Sequence, residues 1–149
     1  MGDLRVAAYL AGHHLSADSG YAPRLRELGA DGLGDVLVAV DQDVAQPIIG
    51  TIMLEYWPDA GELVTGPDEA GIRALAVAPA GQGRGVGGAL LQAVIARANE
   101  RAVRHLLLFT QPDMVTAQHL YEKAGFLRLP DRDWVRLEFS LLAYGLLLA

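Results

Sequence analysis

The first third of the chain combines two spacings of apolar residues. From Leu4 onward, residues 3–14 place apolar side chains at helical intervals, and 21–29 form a second short helical pattern. Residues 35–41 and 48–57 are rich in β-branched side chains and flank a polar loop, which predicts two adjacent antiparallel strands. The pattern therefore predicts two helices at the start of the chain, with no strand before them.

Strands and helices alternate along the rest of the chain. A loop rich in glycine and proline precedes an apolar strand, whose low polarity predicts a central position in a sheet. The predicted elements are strand 72–77, helix 86–101, strand 105–110, helix 114–126, and two last strands formed by FLRL (126–129) and by residues 137–148. Gly125 closes the second of these helices, because its missing Cβ permits a left-handed turn. This order predicts one α/β domain, residues 1–149, around a mixed sheet.

Composition narrows the functional classes. The chain has 149 residues, 52% of them hydrophobic, and a formal net charge of −6, which argues against sequence-independent binding of nucleic acid. It contains no cysteine, so it has neither disulfides nor a thiolate nucleophile, and we expect a cytoplasmic location. The N-terminus lacks a signal-peptide pattern, and the apolar tail 140–149 is half the length of the roughly 20 residues that a spanning helix needs. We therefore expect no membrane association.

A glycine-rich turn is the strongest local signal. Five glycines fall within residues 81–88, around the start of the helix that begins at Val86. Such a turn leaves unpaired backbone N–H groups around one point, and the helix start adds a partial positive charge. Arg84 offers planar, charged donors suited to phosphate. The turn therefore predicts a pyrophosphate site, although clustered glycines also form tight turns without a ligand.

Two nucleotide motifs compete for this turn. A mononucleotide P-loop needs Gly-Lys-Ser/Thr at the helix start, but the chain's one lysine is Lys123. A dinucleotide fingerprint is formally present as Gly83-x-Gly85-x-x-Gly88, yet the next strand ends in Phe-Thr-Gln rather than in the acid that would bind a ribose. The first motif is excluded, and NAD binding stays a weaker alternative.

A third interpretation covers more of the chain. Val77-Ala78-Pro79 followed by Gln82-Gly83-Arg84-Gly85-Val86-Gly87 resembles the Gln/Arg-x-x-Gly-x-Gly/Ala coenzyme A motif of the GCN5-related N-acetyltransferases (GNAT family). Residues 120–126, Leu-Tyr-Glu-Lys-Ala-Gly-Phe, resemble the second signature of that family at the expected distance downstream. The resemblance runs from about Asp35 to the C-terminus. It implies a mixed, mostly antiparallel central sheet flanked by helices, from which this chain lacks the usual first strand.

The resemblance also implies a reaction and a cosubstrate. An N-acetyltransferase moves an acetyl group from acetyl-CoA to a primary amine by direct attack in a ternary complex, and the acceptor is a small molecule or a peptide. The family pattern assigns the cofactor arm to the backbone of Leu75, Ala76 and Val77. It assigns the pyrophosphate to the residues of the glycine turn, which are Gln82, Gly83, Arg84, Gly85, Val86, Gly87 and Gly88.

The catalytic residues follow from the same resemblance. Tyr121 occupies the position where the family commonly places a general acid for the coenzyme A thiolate, and a phenol keeps its proton at neutral pH. Many members carry a glutamate base where this chain has Gly71. Glu69, two residues earlier on the same strand face, is the predicted replacement, with Glu55 or an ordered water as alternatives.

Two further positions qualify the assignment. Met114 stands where many relatives begin this helix with an asparagine that contacts the cofactor arm, so that contact is lost or comes from Gln111 or Thr116. The four histidines lack the i, i+4 spacing of a metal site, and we expect no metal; His119 is predicted to lie on the surface. Gly71 and Met114 keep open a second function, a non-catalytic acyl-CoA-binding sensor or regulatory module.

The predicted absence of a first strand has a consequence for assembly. It leaves the strand Asp35–Asp41 as an uncovered sheet edge with a Val-Leu-Val-Ala-Val run, and the apolar C-terminal strand is a second such surface. We therefore predict a homodimer that buries one of these surfaces between subunits.

Overall fold

The computed structural model describes residues 4–10, 34–41, 48–136 and 139–148. The strands are β1 (Leu4–Leu10), β2 (Gly34–Asp41), β3 (Ile48–Tyr56), β4 (Glu69–Val77), β5 (His105–Thr110), β6 (Leu127–Arg128), β7 (Trp134–Arg136) and β8 (Phe139–Leu147). The helices are α1 (Val86–Glu100) and α2 (Val115–Lys123), and short 3-10 turns span Gly61–Leu63, Pro79–Gly81 and Pro130–Arg132.

The strands form one mixed sheet. Their order is β1-β2-β3-β4-β5-β8-β6, and β7 pairs with β8 beside β6. Every pairing is antiparallel except that between β4 and β5, which α1 connects. The predicted mixed and mostly antiparallel sheet flanked by helices is therefore confirmed, as is the hairpin of β2 and β3.

The prediction for the start of the chain was wrong. Residues 4–10 form β1, which pairs antiparallel with β2 so that Leu4 lies opposite Asp41 and Leu10 opposite Asp35. The first strand is therefore present, and residues 4–10 are not helical. A short apolar segment fits the periodicity of a strand as well as that of a helix. In residues 4–10, pairing with the neighbouring strand β2 outweighs the helix propensity of the two alanines. The rest of the predicted helix 3–14 and the helix 21–29 lie outside the described residues.

Both surfaces behind the homodimer prediction are covered within the chain. β2 lies between β1 and β3, so it is not a sheet edge. β8 lies between β5 on one side and the short strands β6 and β7 on the other. The premise of that prediction was therefore wrong.

The main core lies between one face of the sheet and the two helices. α1 buries Leu90, Leu91 and Val94 against β2, β3 and β4, following its 3.6-residue period. Tyr121 from α2 joins the same cluster, beside Phe126 and Tyr144. α2 ends before Gly125, whose φ of 102° is the left-handed conformation predicted for the turn after this helix. The core thus packs α1 against β4, the strand that borders the candidate site, and packs Tyr121 of α2 beside Tyr144 of β8.

Candidate functional site

The site begins where β4 and β5 stop pairing. Their parallel ladder runs from Glu69 opposite His105 to Ile72 opposite Leu108, while β4 continues to Val77 and β5 to Thr110. On the other side of β4, the register with β3 shifts between Thr51 and Met53. Ala74, at this irregularity, has a φ of 58°, a left-handed value that is unusual for a residue other than glycine. The bulge bends β4 just where it leaves β5.

A cavity of about 340 Å³ lies in this gap. Residues from β4, the end of β5 and α2 surround this cavity. Tyr121 of α2 contributes a phenol to the lining. Its lining consists of Leu63, Ile72, Arg73, Ala74, Leu75, Phe109, Thr110, Gln111, Met114, Tyr121 and Leu141. We call this space the inner cavity.

A larger cavity of about 790 Å³ lies between the glycine turn and one face of α2. The glycine turn supplies Gly81, Gln82, Gly83, Gly85, Val86, Gly87 and Gly88, and the opposite side is Val77, Asp113, Met114, Val115, Thr116, Ala117, His119, Leu120 and Lys123. We call this space the outer cavity. Met114 lines both cavities, so they adjoin at the N-terminal end of α2.

The glycine turn has the geometry of an anion site. Gly83 and Gly85 have φ values of 75° and 77°, and a Cβ on either one would meet no atom of the described chain within 4 Å. Gly85 is the N-cap of α1, so the first N–H groups of the helix face the same opening. The carbonyl of Val77 accepts a hydrogen bond of 3.4 Å from the Gln82 side chain, which ties the turn to the end of β4.

Eight of the ten predicted cofactor residues line one of the two cavities. Leu75 lines the inner cavity, and the outer one takes Val77, Gln82, Gly83, Gly85, Val86, Gly87 and Gly88. Ala76 lines neither, and it pairs with Thr51 of β3. Arg84 is also absent from both linings, and its guanidinium forms a 2.9 Å ion pair with the buried Asp41.

Tyr121 is buried beside the gap. Only 6% of the residue is exposed, and its ring lies 6.1 Å from that of Phe126 and 6.2 Å from that of Tyr144. Burial raises the pKa of its phenol to about 12, because the charged phenolate would lose its hydration. Tyr121 therefore keeps its proton at physiological pH and can donate it, or a hydrogen bond, into the inner cavity.

Glu69 has a different environment from the one expected of a base. Its carboxylate accepts hydrogen bonds of 2.7 and 3.0 Å from Arg132 and a further pair from Thr65, and His105 lies 3.4 Å away. The Arg132 hydrogen bonds, with those from Thr65, lower the pKa of Glu69 to about 2 despite its partial burial. Glu69 lines neither cavity, so the structure does not bring it together with Tyr121.

The position of the family's glutamate is closed by packing. A Cβ on Gly71 would collide with Leu63 and lie 3.4 Å from Cγ2 of Val64. Glu55, directly opposite Gly71 on β3, pairs with Arg73. Apolar side chains from the 61–64 turn therefore occupy the space that a longer side chain at position 71 would need.

Three residues of the outer cavity, His119, Leu120 and Lys123, were not predicted from the sequence as site residues. They share one face of α2 with Thr116, a predicted candidate for the cofactor-arm contact, at i, i+3, i+4 and i+7, and all four line the outer cavity. His119 is exposed, as predicted, but it also borders this space. The i, i+3, i+4, i+7 spacing was visible in the sequence, but nothing there indicated that this face of α2 looks across at the glycine turn.

The described part of the chain contains neither a metal-binding cluster nor a membrane-spanning helix. No three histidine, aspartate or glutamate side chains within it are grouped so that they could hold a metal ion. None of the helices described in residues 48–136 is both long and apolar enough to cross a membrane.

Comparisons with known proteins place this geometry in a family. The sequence model of the Acetyltransferase (GNAT) family matches residues 8–126. No curated protein matches the chain by sequence. The fold is similar to that of a Bacillus subtilis acetyltransferase in complex with CoA, with a TM-score of 0.73 and 17% identity over 99% of this chain and 100% of that one.

Two further solved structures share the fold. A GNAT family acetyltransferase from Elizabethkingia anophelis with acetyl-CoA bound has a TM-score of 0.69 and 20% identity over 97% of this chain and 98% of that one. A GCN5-related N-acetyltransferase from Kribbella flavida has a TM-score of 0.68 and 22% identity over the same shares. Since the family match extends over 119 of the 149 residues, this chain belongs to the GNAT family of acetyltransferases.

Proposed function

We propose that the protein transfers an acetyl group from acetyl-CoA to a primary amine by direct attack in a ternary complex. The observation that carries the proposal is the pair of adjoining cavities, which lead from the glycine turn to Tyr121 through the gap between β4 and β5. The pyrophosphate of acetyl-CoA binds at the N–H groups before α1. Its pantetheine arm lies along the unpaired part of β4, as an added strand would. Acetyl-CoA and CoA are the molecules bound in two of the similar structures.

The reaction needs four events at the thioester. The neutral amine nitrogen attacks the carbonyl carbon, and the oxygen gains negative charge that a backbone N–H of β4 stabilises. The carbon–sulfur bond then breaks, the new amide loses the extra proton of the nitrogen to water, and the sulfur leaves as a thiolate. Tyr121 donates its proton to that thiolate and then takes a proton back from water, since its phenol stays protonated up to a pH near its pKa of about 12.

Deprotonation of the incoming amine falls to water. The residues that line the inner cavity include no aspartate, glutamate or histidine among those the structure describes. A lysine-like amine is neutral in only about one molecule in 2,500 at pH 7, so the rate depends strongly on pH. We expect kcat/KM to rise about tenfold per pH unit from pH 6 until the pKa of the amine is reached.

The acceptor is a small-molecule or peptide amine, and the proposed location is the cytoplasm. Arg73 borders the inner cavity and pairs with Glu55, so the described part of the opening carries no net negative charge of its own. The described residues therefore do not by themselves favour a polycation over other amines.

A second candidate function is an acyl-CoA-binding module without turnover. The packing of Leu63 and Val64 over Gly71 favours it, because it removes the carboxylate that many family members use. Both functions require acetyl-CoA to bind, and only the first requires Tyr121 and an amine.

The deciding experiment measures free thiol released from acetyl-CoA in the presence of a panel of primary amines at pH 8 to 9. Acetyl-CoA affinity is measured in parallel by calorimetry. Release that depends on both enzyme and amine supports the transferase. Binding of acetyl-CoA with no amine-dependent release across the panel would favour the module, and the absence of binding would contradict both.

A further inference from the structure

Thr51 is a buried polar residue on β3, beside the irregular part of β4. Only 2% of it is exposed, and it lines neither cavity. Its hydroxyl donates a hydrogen bond of 3.4 Å to the carbonyl oxygen of Ala74. A buried hydroxyl needs a hydrogen-bond partner, and the partner of this one lies where β4 has left the ladder with β5.

The bulge of β4 depends on how Ala74 is held. The register shift between Thr51 and Met53 leaves Ala74 and Leu75 opposite a single residue of β3. The φ of 58° at Ala74 is disfavoured for a residue with a Cβ, so the surrounding groups must hold this conformation. The Ala74 side chain packs against the apolar cluster of β2 and β3, whereas its carbonyl meets the Thr51 hydroxyl. Packing and the hydrogen bond therefore act on the same residue.

The peptide group that joins Ala74 to Leu75 presents one polar end on each side of β4. A trans peptide is planar, and its C=O and N–H point in opposite directions. Because the Ala74 carbonyl points to Thr51 on β3, the Leu75 N–H points away from β3, to the side from which β5 has separated. Leu75 also lines the inner cavity. This N–H is therefore aimed into the gap between β4 and β5.

We propose that Thr51 is a positioning residue for acetyl transfer, acting through the peptide group between Ala74 and Leu75. The inference rests on the proposed function, which puts the thioester in the inner cavity. The Thr51 hydroxyl holds the Ala74 carbonyl toward β3 and thereby aims the Leu75 N–H at the thioester oxygen. That oxygen gains negative charge as the amine attacks, so a fixed donor stabilises the transition state more than the bound substrate.

Two substitutions separate the hydroxyl from the shape of the side chain. Thr51→Val removes the hydroxyl and keeps the branched shape, whereas Thr51→Ser keeps the hydroxyl. We expect Thr51→Val to lower kcat on the order of tenfold, a part of the roughly 100-fold or more that loss of a whole oxyanion donor costs. Thr51→Ser should keep most of kcat. Calorimetry should give the same acetyl-CoA Kd for both variants and the native chain.

An infrared measurement reports on the same hydrogen bond without turnover. Difference spectra of bound acetyl-CoA, isotopically labelled at the thioester carbonyl, give the stretching frequency of that C=O bond. In the native chain this frequency should lie below that of free acetyl-CoA, because a donor polarises the carbonyl. Thr51→Val should move the frequency back toward the free value, and Thr51→Ser should not.

Tyr56→Phe is the matched control, because it removes another hydroxyl of β3. That hydroxyl donates a 2.6 Å hydrogen bond to Asp35, and Tyr56 borders neither cavity. The melting temperature of this variant should fall, while its kcat and stretching frequency should equal those of the native chain.

The inference requires both effects in Thr51→Val. An unchanged kcat, an unchanged frequency, or an equal loss of kcat in Tyr56→Phe would overturn it while the proposed function stands. If the native chain binds acetyl-CoA but shows no amine-dependent release of thiol, the proposed function fails, and the infrared shift then decides separately whether Thr51 aims the donor. If acetyl-CoA does not bind the native chain, both fail.

Discussion

Tyr121 combines a packed ring with a hydroxyl that is available to a ligand. The ring contacts those of Phe126 and Tyr144, whereas the hydroxyl makes no hydrogen bond within the described residues. Packing and chemistry can therefore be separated by removing the oxygen alone. Burial raises the pKa of the phenol, and it would raise the pKa of a coenzyme A thiol beside it in the same direction.

We expect Tyr121→Phe to lower kcat by about 100-fold, because a positioned proton donor contributes on that scale. Acetyl-CoA affinity and the melting temperature should change little, since the ring stays in place. Steady-state kinetics and calorimetry on the same preparation provide the measurement.

Tyr144→Phe is the matched control for this change. The Tyr144 hydroxyl donates a 3.2 Å hydrogen bond to Glu122 and lies outside both cavities, so its loss should lower stability slightly and leave kcat unchanged. If the two variants lose activity equally, Tyr121 acts through packing and not as a donor.

Glu69 illustrates a carboxylate whose perturbed pKa serves the fold. Its folded pKa of about 2 lies below the ordinary value of 4.5, so its contribution to stability is complete above pH 4.5 and is lost as the pH falls toward 2. We expect Glu69→Gln to reduce the free energy of unfolding at pH 7 by on the order of 2 kcal/mol and to flatten its dependence on pH below 4.5. The pH profile of kcat/KM above pH 6 should not change.

Urea unfolding at pH 3 and pH 7, with Glu100→Gln as the control, measures this effect. Glu100 is an exposed partner of Arg97, so its replacement should have almost no effect on stability. A large fall in kcat for Glu69→Gln with normal stability would restore Glu69 as the base.

At the scale of secondary-structure elements, the glycines that the sequence singles out also line the outer cavity. Gly85 has a left-handed φ and open space around it, and a Cβ on Gly87 would lie 3.2 Å from the Leu120 side chain. We expect Gly85→Val and Gly87→Val to weaken acetyl-CoA binding at least tenfold, because a branched side chain fills the space that the pyrophosphate needs and strains Gly85 as well. Calorimetry measures the affinity, and circular dichroism verifies the fold.

Gly66→Val serves as the comparison for these two variants. Gly66 lies in the turn before β4, has no atom within 4 Å of a built Cβ, and borders neither cavity. Its replacement should leave acetyl-CoA affinity unchanged. Normal affinity in both Gly85→Val and Gly87→Val would move the pyrophosphate away from this turn.

Local signals explain which elements the sequence could predict. The strand His105–Thr110 matched its prediction residue for residue, and α1 did so within one residue, because apolar runs and periodic spacing are properties of adjacent residues. The prediction for residues 4–10 failed because β1 pairs with β2, which follows only after a long intervening stretch of sequence. The glycine turn was predictable as a turn, because Gly83 and Gly85 adopt the left-handed conformation that glycine permits.

The environment of the predicted base, Glu69, could not be predicted, because it depends on residues that are distant in the sequence. Glu69 and Arg132 are 63 residues apart in sequence, and nothing near Glu69 indicates that a guanidinium will reach it. Likewise, Leu63 covers Gly71 only because the turn 61–63 folds back onto β4. Sequence motifs therefore identified the glycine turn that borders the outer cavity, whereas the partners of the acidic residues required the folded chain.

At the scale of the whole molecule, β1 determines whether the sheet has a protected edge. β2 buries Val36, Val38 and Val40, and its backbone pairs on both sides. We expect removal of residues 1–10 to uncover one side of β2 and to produce larger species in light scattering than the full chain does at equal concentration. A shortened chain with the same mass and melting temperature as the full chain would show that β1 does not protect β2.

The contact between Gly71 and Leu63 makes the two positions interdependent. Any side chain at 71 collides with Leu63, and a smaller residue at 63 alone leaves a cavity in the cluster with Ala60 and Leu107. Each single change is therefore destabilising, while the pair together could be tolerated, which is sign epistasis in evolutionary terms. A glutamate at 71 therefore requires the Leu63 side chain to move, and an engineer who wants a carboxylate base here should vary positions 63 and 71 together.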